Sequence, residues 1–120
     1  MPHLALCLSE KAFLKIIKKL GNKESLAWVR EGDDSTVHFL YNHKNEPVCV
    51  VCVGACEGAD DLQIFGLLAH EAMHVIQEWR ESVGGRNRIA SVFERETEAY
   101  ALHRIFQNLL YEYQRQISCK

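Results

Sequence analysis

His70-Glu71-Ala72-Met73-His74 sets two imidazoles four residues apart with a carboxylate next to the first. On a helix, four residues rise about 6 Å and turn almost once, so both rings leave one face and can share a single cation. Two imidazoles plus a carboxylate suit a tetrahedral zinc ion (Zn2+). Glu71, displaced by about 100° from His70, stands where it can accept a proton from a water activated by the ion without filling a ligand position. The chemistry such a site would do is hydrolysis by an activated water. Apolar Phe65 to Ala69 before the motif and Val75-Ile76 after it make it part of a buried helix, where two histidines and a glutamate are costly unless they have partners.

Zinc needs a third protein ligand, and a later segment offers Glu94, Glu96 and Glu98. Ser91-Val92-Phe93-Glu94 has the form of a capping box, which occupies Glu94 at a helix start near Ser91. Glu96 points well away from the other two around that helix. Glu98 is the preferred ligand. Glu94 shares its face and could instead be the ligand, with Glu98 behind it.

H-E-x-x-H followed by a glutamate on the next helix resembles the zincin metallopeptidases of the glutamate-ligand branch. Glu96-Thr97-Glu98-Ala99-Tyr100-Ala101-Leu102 is similar to the corresponding helix of small phage and prophage zincin-like proteins, over a resemblance running from about Trp28 to Tyr113. In that comparison the metal glutamate directly precedes the alanine, which matches Glu98. The resemblance implies a zinc-dependent peptidase with Glu71 as general base. It also implies a sheet whose edge strand holds an extended peptide or protein substrate. The alternative is a non-catalytic, zinc-containing, phage-type interaction protein, since the chain lacks the long segments that build a second peptidase lobe.

Further groups could serve the site. His103, Tyr100 and Tyr111 are candidate donors to a developing oxyanion, and Gln77 and His103 could orient the ligands. Trp28 and Trp79 are expected to anchor packing.

The elements that must position these residues follow from periodicity. Leu4 to Leu8 is an expected strand, and Ser9 caps a helix from Glu10 to Leu20 whose Phe13, Ile16, Ile17 and Leu20 form one stripe, ended by Gly21-Asn22. Leu26 to Val29 is a possible short strand before the polar turn Glu31-Gly32-Asp33-Asp34. Thr36 to Tyr41 and Glu46 to Val53 read as an antiparallel hairpin across Asn42 to Asn45. Asp60 or Asp61 caps a helix from Leu62 to Ser82, Gly84-Gly85 turns the chain, and a last helix runs to about Ile117. The expected fold is α+β and zincin-like: a small antiparallel sheet packed on three helices, with the H-E-x-x-H helix central, in a single domain spanning residues 1–120.

With 48% hydrophobic and 25% charged residues the 120-residue chain has the balance of one globular domain, not of a disordered or disulfide-only scaffold. A net charge of -2 with scattered cations provides no nucleic-acid footprint. Its longest apolar runs fall far short of the roughly 20 residues a membrane span needs. No export signal opens the chain, so a cytoplasmic location is expected. Five cysteines form an odd, sparse set expected to remain free thiols. Cys49 and Cys52, three apart in a strand, should point to opposite faces and not share a metal. Oligomeric state is not legible.

Overall fold

The computed structural model describes residues 3–54, 58–84 and 92–118, with side chains described for all of these except 82–84 and 92–94. In chain order the elements are β1 (His3–Cys7), α1 (Glu10–Leu20), β2 (Ser35–Tyr41), β3 (Pro47–Val53), α2 (Asp61–Gly84) and α3 (Val92–Ser118). The fold is α+β, three helices on a three-stranded sheet.

The sheet corrects one expectation. Its order is β1-β3-β2, with β2 antiparallel to β3 but β1 parallel to it, so it is mixed and not antiparallel. The hairpin puts β3 back alongside β2, while the helical excursion through α1 lets β1 lie beside β3 pointing the same way. Leu26 to Val29 forms no strand. Leu26, Trp28 and Val29 instead pack as irregular chain against the α1 side of the sheet.

As the central strand, β3 is covered on both faces, which explains its unbroken apolar run. Val48, Val50 and Cys52 face α1 with Cys7, Phe13 and Ile17. Cys49, Val51 and Val53 face the other way, with Ile64, Leu68 and Val75 of α2 and Ile105 and Leu109 of α3. Cys49 and Cys52 thus lie on opposite faces as the two-residue period requires, and Cys7, Cys49 and Cys52 are buried free thiols. Burial pushes the Cys49 thiol up to about 11, with the Glu78 carboxylate adding to the shift. Cys56 and Cys119 lie outside the described residues.

Local signals hold at α1. The Ser9 hydroxyl accepts from the Ala12 backbone N–H at 3.2 Å, and Gly21 closes the helix in the left-handed region at φ 73°. A side chain there would also press on the His43 ring, 2.8 Å from where its Cβ would sit. The hairpin turn closes through the Asn45 N–H donating to the Asn42 carbonyl at 2.9 Å, with Asn45 at φ 61°. The helix expected over Leu62 to Ser82 spans Asp61–Gly84, and the last helix begins at Val92, one residue from its expected start. Gly85 and Ser91, on which the turn and the capping box depend, lie outside the described residues. Two observations give α2 and α3 opposite directions: Phe65 meets Tyr113 edge-on at 6.2 Å, and Arg80 meets Glu98. No helix among the described residues is long and apolar enough to cross a membrane.

Candidate metal centre

Ala72, Val75 and Ile76 turn into the core, and this rotation leaves His70 and His74 exposed on the opposite flank of α2. Their Nε2 atoms converge to 3.1 Å. Two nitrogens bound tetrahedrally at ordinary zinc distances would sit about 3.3 Å apart, so the pair is already spaced for one ion. His74 Nδ1 lies 3.0 Å from Gln77 Oε1. That oxygen can only accept, so Nδ1 carries the proton and Nε2 keeps its lone pair toward His70. Gln77, expected to orient a ligand, thus contacts the His74 ring. Replacing Gln77 with leucine should free the ring and its tautomer, lowering zinc affinity about 10- to 100-fold; a chelator-competition titration of wild type against Gln77→Leu measures it.

Glu71 is 3% exposed, and its Oε1 stands 3.7 Å from His70 Nε2. The Ser35 hydroxyl donates to the same oxygen at 3.1 Å. A buried carboxylate needs such a donor, and here β2 supplies it across the cleft. The donor atoms of His70, Glu71 and His74 all lie within 4.8 Å of one another, the only group of three or more histidine, cysteine or acidic side chains so arranged among the described residues. By its chemistry this donor set, two imidazoles with a buried carboxylate alongside, could hold a metal ion, with two of the ligands a zinc ion takes present.

These residues open into a cleft of about 710 Å³ between α2 and the start of β2, with the 30–34 turn at its mouth. Gly66, one turn before His70, also lines it, and a Cβ there would meet nothing within 4 Å, so the glycine keeps that wall low. The turn is itself fixed. The Arg30 N–H donates to Thr36 Oγ1 at 3.0 Å, the Asp33 N–H to the Arg30 carbonyl at 3.0 Å, and the Gly54 N–H to the Asp34 carbonyl at 2.8 Å.

The structure does not bring Glu98 to the histidine pair. Its carboxylate is forked by the Arg80 guanidinium, with Nε to Oε1 at 2.7 Å and a second, short contact from Nη2 to Oε2. Glu98 holds Arg80 further above its ordinary range, through those hydrogen bonds first and charge second. The antiparallel register explains the placement, since Glu98 is level with Arg80, six residues and about 9 Å of helix beyond His74. The Glu94 side chain lies outside the described residues, and no described residue of α3 lines the cleft.

The expected oxyanion donors are corrected in the same way. Ala101, Ile105, Leu109 and Tyr113 turn α3 toward the core, leaving Tyr100 and Tyr111 exposed and His103 in a separate depression with Ala99, Leu102 and Phe106. Arg30 is the cation that does line the cleft. Trp28 and Trp79 are partly buried against the two cores, as expected of packing anchors. Ser35 was not singled out from sequence, although a signal existed. Once Val37 is assigned to the α2 face of β2, the two-residue period puts Ser35 and Phe39 there as well.

Compared with known proteins, the chain matches no family model, no curated sequence and no solved structure.

Proposed function

We propose that this protein is a zinc-dependent hydrolase acting on peptides, with His70 and His74 as zinc ligands and Glu71 as general base. The observation that carries this reading is the convergence of the two Nε2 atoms at 3.1 Å, with the His74 tautomer set by Gln77 and a buried carboxylate beside them. A zinc ion bound there supplies Lewis acidity, which acidifies a water and polarises a carbonyl. Glu71, held by Ser35, accepts the water proton and delivers it to the departing amine nitrogen. Burial of Glu71 limits its rotamers and keeps competing water away from that oxygen. Arg30, at the cleft mouth, is the donor available to a carbonyl oxygen as its charge grows.

The third ligand expected from α3, Glu98 with Glu94 as the alternative, is not supplied by the described residues in this geometry, so the reading rests on His70, His74 and Glu71. An extended substrate would lie along β2, the edge strand flanking the cleft. The H-E-x-x-H pattern, the following glutamate helix and this edge strand support a zincin-like reading of the phage type.

A second reading, a zinc-containing interaction module without turnover, draws on the Arg80–Glu98 fork, which uses both carboxylate oxygens to join α2 to α3. The two are separated by metal analysis together with a mixed peptide library. The hydrolase is expected to hold about one zinc per chain and to cleave library members in a manner lost on chelation and restored by zinc. One bound zinc with an uncleaved library would favour the module.

A further inference from the structure

We infer that the cleft selects positively charged, extended peptide segments, with lysine or arginine side chains on both sides of the point held by His70 and His74. Glu71 meets Ser35 at the start of β2, while Glu78 borders the depression formed by Phe39 and Tyr41 at its other end. Strand and helix therefore run in the same sense along the two walls. Asp33 and Asp34 stand at the Ser35 end, and Glu78 stands on α2 beyond His74. Arg30 is the one cation among the described lining residues. Carboxylates thus flank the histidine pair at both ends of one open channel.

The channel also has a ledge for a backbone. β2 is the edge of the sheet, so half of its peptide groups point away from β3, and an incoming strand can pair with them. Strand addition directs alternate side chains of the guest toward α2, where the carboxylates are. Glu78 has a double position, lining both the cleft and a second depression of about 370 Å³ formed largely by Phe39, Tyr41, Val48, Val75 and Trp79. A guest side chain with an aliphatic stem and a cationic tip satisfies both, its stem over the apolar surface and its charge at Glu78. Aspartate or glutamate in the guest would meet like charges at each end.

The inference rests on the hydrolase reading for which bond is cut, but not for binding. The test uses two fluorescent decapeptides, one alternating lysine with valine and the other glutamate with valine, measured by anisotropy against zinc-loaded and metal-free Glu71→Gln protein. The lysine peptide is expected to bind about tenfold tighter or better at low salt, with the preference shrinking as salt rises. Double charge reversal, Asp34→Lys with Glu78→Lys, is expected to invert the preference, and the neutral pair Asp34→Asn with Glu78→Gln to abolish it, while Glu10→Lys on distant α1 leaves it intact. Equal binding of the two peptides, or a preference that survives both cleft variants, overturns the inference. If the lysine peptide binds as expected and the wild-type enzyme cuts neither peptide, the hydrolase reading falls and the charge selection stands. If the wild type cuts both equally well and binds both equally, the reverse holds.

Discussion

Alanine at His70 or at His74 is expected to lower zinc affinity by about a hundredfold to a thousandfold, since each ring provides a large share of the roughly 10 kcal/mol or more that such sites gain from the ion. The two nitrogens are 3.1 Å apart in the folded chain, so little rearrangement is needed to close on a cation and little of the binding energy is lost to ordering. Both rings are exposed, and their truncation leaves the apolar core of α2 intact. The variants should therefore remain folded, and circular dichroism beside competition with a chromogenic chelator separates lost binding from lost structure. Glu98→Gln and Glu94→Gln belong in the same series. Whichever provides the third ligand should lower affinity by a comparable factor, whereas a carboxylate that only joins helices should cost stability and leave affinity unchanged. Zinc held equally by wild type and both histidine variants would remove the site.

Glu71→Gln is expected to reduce hydrolysis by about a hundredfold to ten-thousandfold while one zinc stays bound, because the amide keeps the shape of the carboxylate but cannot accept the proton. Structure sharpens this expectation. The side chain is buried and accepts from Ser35 at 3.1 Å; a glutamine can present its own oxygen to the same hydroxyl, so the packing survives the change. The loss should appear in kcat with KM nearly unchanged, as befits a group that acts mainly in the transition state. Full activity in this variant would rule out Glu71 as the base, and a fall in zinc content matching the fall in rate would make it a ligand instead.

Much of the architecture was legible because it rests on short-range rules. Ser9 and Gly21 bound α1 since a hydroxyl can cap orphan N–H groups and glycine tolerates φ 73°. Cys49 and Cys52 were assigned to opposite faces by counting along a strand, and the cores bear this out. The mixed sheet was not legible: whether β1 lies parallel or antiparallel to β3 depends on how α1 and the 21–34 segment route the chain, and no local pattern encodes that. The irregular chain at Leu26 to Val29 has strand-like composition but finds its burial against α1 and its hydrogen bonds elsewhere. His38 Nε2 meets the Trp28 carbonyl at 3.0 Å.

At the candidate site the division is the same. Spacing alone determined that His70 and His74 share a helix face with Glu71 offset from them, because 3.6 residues per turn leave no other arrangement. Tertiary structure decided everything that crosses from one element to another: Ser35 on Glu71, Arg80 on Glu98, and the acidic turn of Asp33 and Asp34 at the cleft mouth. Partners 36 and 18 residues apart meet only once the sheet order and the helix register have been chosen. Packing of the whole core makes that choice.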